Sequence, residues 1–263
     1  MDIFVVFIFG LAVGSFLLVL IDRLPKNEPV IVGRSKCDYC HHVLSWYDLI
    51  PLFSYVSILG RCRYCKRKLS LKYPVMELLT ACVFVVLYLL VFKGWVLYPV
   101  SISSPFLLFL FLAVVVSTLY VIFFTDLFYG IIPTGVVIVG VIVTFLYLGV
   151  TDITLLLMHL LVGVITMLFF LAIYLVTKQK GIGFGDVIYG FYMGLLLGFP
   201  YILVGLYTAF LTGAGVSIIL VMLKKKKLRG DSIPFGPFLI FGTILSFILG
   251  DIIWNIASTY IGL

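Results

Sequence analysis

Apolar residues in this chain fall into long runs separated by short polar interruptions, and these runs set its architecture. A helix needs about 20 apolar residues to cross a hydrocarbon layer of about 30 Å. Eight stretches meet or approach that length: 3–21, 75–92, 105–124, 134–150, 153–176, 187–199, 201–223 and 234–253. The sixth is short and Pro200 divides it from the seventh, so it reads as a short span or a half-helix that begins nearer Gly181, with a count of seven as the alternative. The first run starts with Asp2, has no basic flank and no small-residue cleavage pattern before Asp22, so it is expected to remain as a helix rather than act as a signal peptide.

Composition agrees with the pattern. Of 263 residues, 63% are hydrophobic and 11% charged, and the mean hydropathy is +1.28. A soluble globular domain is excluded, and the expected fold is an all-α polytopic membrane protein of about eight transmembrane helices. Its expected organisation is helix one at 1–21, a polar loop domain at 22–73 and a membrane core at 74–263.

Lysine and arginine orient the chain. Of the 18 such residues, ten lie between Arg23 and Lys72, two are Lys178 and Lys180, and five are Lys224, Lys225, Lys226, Lys227 and Arg229. Eight helices with the N-terminus outside put all three clusters in the cytosol and Lys93 outside. The formal charge of +7 is thus a topology signal, with attraction to anionic membrane lipids secondary and nucleic acid not an expected partner. Gly205, Gly213 and Gly215 permit tight helix packing but do not distinguish contacts within one chain from contacts between chains, so the oligomeric state is not read.

The same topology places segments 125–133 and 177–186 on the cytosolic side, and each carries an aspartate, Asp126 and Asp186. Ionisable groups at hydrocarbon depth are costly and point to function, although aspartate is also a favoured helix N-cap. Asp186 ends Gly183-Phe184-Gly185-Asp186, where Gly183 and Gly185 allow unusual backbone conformation or close approach. Two nearby carboxylates resist joint ionisation, so one holds a proton while the other is charged, which is acid and base chemistry from one residue type. An aspartyl protease at the membrane boundary is the expected activity. No HExxH stretch is present. His159 reads as an interhelical hydrogen-bonding residue, and nothing links it to Gly14-Ser15 as a serine protease would require.

Within the polar loop, Cys37 and Cys40 form one CxxC, and Cys62 and Cys65 form a second after 21 intervening residues. That spacing predicts a four-cysteine, zinc-ribbon-like site in a reducing cytosol. Four thiolates fill a tetrahedral zinc shell and leave no place for a reactive water, so the metal is expected to be structural. Cys82, in the second run, is expected to be a buried small residue. Residues 44–56 between the pairs are rich in aromatic and aliphatic side chains, and Trp46, Tyr47 and Tyr55 suit a membrane interface. The segment is expected to pack the zinc module onto the membrane domain, with a share in a substrate cradle as the lesser reading.

Taken in order, Gly14-Ser15-Phe16-Leu17, Arg23-Leu24-Pro25, the four cysteines, Tyr73-Pro74-Val75-Met76-Glu77-Leu78-Leu79, Thr125-Asp126 with Ile132-Pro133, the glycine-framed Asp186, and Pro234-Phe235-Gly236-Pro237-Phe238 resemble the bacterial type 4 prepilin leader peptidases. These are GxGD-class membrane aspartyl proteases of the bacterial cytoplasmic membrane. The resemblance implies that Asp126 and Asp186 are the catalytic pair and that the substrates are prepilins or pseudopilins, cut after a glycine on the cytosolic side. It also implies methylation of the new N-terminus from S-adenosylmethionine. Glu77, Asp48 and Glu28 are candidates for attracting a basic leader. The chain departs from the common family pattern at Leu18, Asp22, Thr134 and Ile188. The alternatives from other classes are a noncatalytic membrane assembly factor and a proton-coupled transporter.

Overall fold

A computed structural model describes residues 2–30, 32–93, 104–179, 181–223 and 234–261. The basic residues Lys180, Lys224 to Lys227 and Arg229 lie outside the described residues. The chain divides into two compact units, Met1–Trp95 and Val96–Leu263.

The first unit contains α1 (Ile3–Arg23), a short helix α2 (Phe53–Ser57) and α3 (Lys72–Phe92). Between α1 and α2 the chain forms single helical turns at Leu24–Lys26 and Trp46–Leu49. Helices α1 and α3 pack together along the Gly10–Gly14 edge of α1. A methyl group on Gly10 would stand 2.7 Å from the Ala81 Cα, and one on Gly14 would stand 3.0 Å from the Glu77 Cα. Small residues let the two backbones approach where no water is available to drive association. At the end of α1 and the start of α3, Asp22 and Lys72 form a 2.5 Å ion pair. Cys82 is exposed on α3, which corrects the expectation that it is buried: Ala81 and Phe84 take the inner face and turn position 82 outward.

The second unit contains α4 (Pro105–Tyr129), α5 (Thr134–Thr151), α6 (Ile153–Val176), α7 (Phe184–Leu197), α8 (Tyr201–Met222) and α9 (Gly236–Ile261). Among the described residues of the whole chain, seven helices are long and apolar enough to cross a membrane, and α7 is a shorter apolar helix of 14 residues. The sixth run therefore forms the short helix that its length and Pro200 implied. It packs against α6, α5, α9 and α8, and Tyr189, Tyr192, Met193, Leu195 and Leu196 on it are fully buried. Its Tyr189 hydroxyl shares a 2.8 Å hydrogen bond with Thr243 of α9. His159 of α6 bonds the Leu195 carbonyl oxygen at 2.8 Å, the interhelical role expected of it.

Two boundaries differ from the hydropathy pattern and both move an aspartate into a helix. Helix α4 runs on to Tyr129, where Gly130 stops it with φ +67°, a left-handed cap that glycine adopts freely. Asp126 therefore sits in the last turns of α4 rather than in a loop. Helix α7 starts at Phe184, so Asp186 occupies its first turn. Polarity alone ends a segment too early when a helix carries a single acid near its terminus.

Candidate functional site

Asp126 and Asp186 are 5% and 7% exposed, an unusual degree of burial for carboxylates that have no cationic partner among the described residues. They come from opposite chain directions: α4 delivers Asp126 at its C-terminal end and α7 delivers Asp186 at its N-terminal end. The chain just beyond Asp126 meets the start of α7, where the Ile132 side chain packs on Gly185 beside Asp186.

Each carboxylate is held by a backbone amide at a helix N-terminus. The Gly183 N–H donates to Asp186 Oδ2 at 2.9 Å. This is the acidic half of a capping box, the half that glycine can take part in without a side chain. The Gly236 N–H, at the first residue of α9, donates to Asp126 Oδ2 at 2.8 Å. The positive end of a helix dipole favours negative charge at both positions.

Three glycines frame the pair, with different physical roles. A methyl group on Gly236 would lie 2.5 Å from Asp126 Oδ2 and 2.9 Å from its Cγ, so only glycine lets α9 start against this carboxylate. A methyl group on Gly185 would lie 2.8 Å from the Ile132 Cβ, so Gly185 lets α7 press against the segment that follows Asp126. Gly183, in contrast, has φ −80°, and its nearest neighbour would be Asp186 Oδ2 at 3.5 Å, which is ordinary contact. Gly236 was part of a motif in the sequence but carried no role there; Pro-Phe-Gly-Pro before an apolar run was the only signal for it.

In the first unit, the four cysteine sulfurs lie within 4.8 Å of one another, with Cys37 Sγ and Cys65 Sγ 3.9 Å apart. Sulfurs around one tetrahedral ion at about 2.3 Å stand about 3.8 Å from each other, so the cluster fits a metal ion. Two hairpin-like knuckles carry it, and they repeat each other with an offset of 25 residues. Cys37 and Cys62 accept N–H bonds from His41 and Lys66 at 2.9 Å each through their carbonyls. His41 and Lys66 have matching left-handed φ of 55° and 59°, and the bridges Lys36–Val43 and Arg61–Lys68 close the two turns. The knuckles also exchange side chains: His42 stacks on Tyr64 with ring centroids 3.7 Å apart, and its counterpart Arg67 lies over Tyr39 at 5.2 Å. His41 and His42 are thus parts of the first knuckle's turn and outer face. The N–H of Cys65 is the main influence drawing the Cys62 thiol down to about 7. At Cys40 the donation from His42 is outweighed by desolvation and the neighbouring thiols, and that group is pushed up to about 11.

Glu77, Asp48 and Glu28 all line one cavity of about 960 Å³ in the first unit, together with Asp22, Arg23 and Lys72. Asp48 is engaged by Arg63 at 2.9 Å and Tyr64 at 3.2 Å. Glu77 accepts the Leu52 N–H at 2.9 Å, and Gly14 is the point where α1 comes close to its Cα. Glu28 is exposed at the rim.

Comparison with known proteins agrees with this division. The Bacterial Peptidase A24 N-terminal domain matches residues 8–91, and the Type IV leader peptidase family matches residues 113–218. The chain is 29% identical to a prepilin leader peptidase/N-methyltransferase of Bacillus subtilis over 98% of its own length and 97% of that protein. It is 28% identical to one of Aeromonas hydrophila over 94% and 90%. Similarity to one of Myxococcus xanthus reaches 48% identity over 31% of this chain and 25% of that protein. No solved structure matches the chain. With both units matched and relatives aligned nearly end to end, the chain belongs to the bacterial type IV prepilin leader peptidase family.

Proposed function

We propose that this chain is a membrane aspartyl endopeptidase that removes the leader of type IV prepilins or pseudopilins after a glycine, and then methylates the new N-terminus. The observation that carries the peptidase reading is the pair of buried carboxylates, each held on one oxygen by a helix N-terminal amide. The second oxygen of each is then the one available for reaction. A charged member takes a proton from water as it attacks the scissile carbonyl, and a protonated member donates to the carbonyl oxygen. The proton is shared by the pair, so the two parts belong to the pair jointly. Both acids lie at one end of their helices, which favours hydrolysis at a membrane face over proton relay through the bundle.

In this reading α7 counts as the sixth of eight traverses, the N-terminus lies outside, and the carboxylates and cysteine loop face the cytosol, as the lysine and arginine distribution requires. The cysteine cluster is a zinc ribbon, because four cysteines at tetrahedral spacing in a reducing compartment select zinc. S-adenosylmethionine supplies the methyl group when bound. The first-unit cavity has a volume within the range of small-molecule sites, and its lining interleaves Glu28, Asp48 and Glu77 with Arg23, Lys36 and Lys72, which suits a molecule that carries both a carboxylate and cationic groups. A membrane-inserted prepilin tests the proposal: Asp126→Asn and Asp186→Asn should each strongly lower cleavage, and wild-type cleavage by both variants would overturn it.

A further inference from the structure

One apolar surface lies outside the spanning helices. Trp46, Ile50, Phe53, Val56 and Leu59 are spaced three or four residues apart and all are exposed, Trp46 by 77%, Phe53 by 67% and Leu59 by 85%. Their inward counterpart is Tyr55, which stacks over Gly60 and donates to the Leu69 carbonyl oxygen at 3.3 Å. The segment therefore has one face fixed to the second cysteine knuckle and one face of large apolar side chains turned away from it. A soluble module would not present such a stripe.

The depth of this stripe is set by α3. Leu52 donates its N–H to Glu77 Oε2 at 2.9 Å, and Glu77 lies five residues further into α3 than Lys72. At 1.5 Å per residue the tether is roughly 7.5 Å past the Asp22–Lys72 ion pair along the helix, so it falls below the charged level and within the apolar span. Leu52 is held there at a conformational cost. It has φ +58° and ψ −50°, and Phe53 bonds the Pro51 carbonyl oxygen at 2.6 Å, which is the positive-φ γ-turn, rare and strained in non-glycine residues. Immediately beyond the stripe, residues 60–72 carry six basic residues and no acid, and Arg61, Lys66 and Lys68 among them are exposed.

We propose that residues 46–59 form an interfacial anchor. The apolar stripe lies in the boundary between headgroups and acyl chains of the bilayer that the chain itself spans, and Arg61, Lys66 and Lys68 face anionic lipid headgroups. Apolar side chains on one face and cations beside them match this environment. The tether to Glu77 fixes the depth and the strained turn fixes the direction in which Phe53 and Val56 point. The anchor stands on the first unit alone and is independent of the catalytic reading.

The test uses the full-length chain with Trp95→Phe and Trp254→Phe, so that Trp46 is the sole tryptophan, in vesicles of brominated phosphatidylcholine and phosphatidylglycerol. The expected result is blue-shifted emission, quenched by the bromolipids at a depth of roughly 5–10 Å into the interface. Water-like emission quenched by acrylamide as fully in vesicles as in detergent would overturn the proposal. Blue-shifted emission quenched by neither agent would also overturn it, since a protein surface, from a second copy or from another part of the chain, would then cover the stripe. A Phe53→Ser, Val56→Ser form of the same reporter chain should raise acrylamide access to Trp46 in vesicles; unchanged access would count against the anchor.

Discussion

Gly236 donates its backbone N–H to the Asp126 carboxylate at 2.8 Å across 110 positions of sequence. No side chain fits between them. The start of α9 is therefore a fixed wall of the carboxylate's site, and one added methyl group tests it.

Gly236→Ala is predicted to displace the Asp126 carboxylate while α9 still forms. Misplacement by about 1 Å can cost on the order of 100-fold in rate, and a loss of that order in kcat/KM for prepilin cleavage is expected. Gly183→Ala, which meets only ordinary contacts, should stay within a few-fold of wild type. Equal loss in both variants would show that the two glycines act alike and that the contact with Asp126 is not the cause.

Asp126→Asn and Asp186→Asn should each lower cleavage by on the order of 1,000-fold, within the range attributed to a positioned acid or base. Methyl transfer to a pilin whose leader has already been removed should persist in both, because Glu77, Asp48 and the first-unit cavity are untouched. Loss of both activities would place the second reaction at the aspartates as well.

Cys37→Ser should lower bound zinc and the yield of folded protein together, since the cluster closes two knuckles on one ion. Metal retention should also depend on pH. Thiolates bind the ion and protons compete for them, so the apparent affinity should weaken as pH falls through about 7, where the metal-free Cys62 thiol takes up its proton, and strengthen as pH rises. Zinc release followed by a chromogenic chelator checks the sign.

Glu77→Ala should free the Leu52 amide and leave it without an acceptor. An unsatisfied buried donor costs about 1–3 kcal/mol; the Leu52 amide is half-buried, so thermal unfolding in detergent should show a loss of about 1 kcal/mol together with faster proteolysis near Leu52. Glu77→Gln keeps an acceptor oxygen and should lose less. Equal loss in the two variants would mean that the hydrogen bond to Leu52 is not what Glu77 contributes.

The sequence carried the spans, the cysteine spacing and the two aspartates, because each is written in local pattern: run length, ligand spacing, or a charge inside hydrocarbon. It did not carry contacts between distant segments. Gly236 against Asp126 is such a contact, and so is Gly14 against Glu77. The two knuckles share Cys-x-Tyr-Cys-x-x-x-Leu-Ser, at Cys37 to Ser45 and Cys62 to Ser70, but their common turn rests on the left-handed backbone of two dissimilar residues, His41 and Lys66, which residue identity does not reveal. Cys82 faces outward because Glu77, Thr80, Ala81 and Phe84 make up the packed face of α3, a face that the small apolar character of cysteine does not indicate.

Helix α7 has 14 residues, so its length is about 21 Å at 1.5 Å per residue, against about 30 Å of hydrocarbon. Even as one of the traverses it is shorter than the bilayer that its neighbours are long enough to cross, so at least one of its ends lies below a membrane surface. Its first turn, which bears Asp186, can therefore lie at the floor of a depression bounded by those neighbours. A peptide bond descending into that depression would meet the acid while the apolar helix that follows stayed largely in place. Cleavage would then require a short stretch of the substrate to unwind, and not the withdrawal of its helix from the membrane.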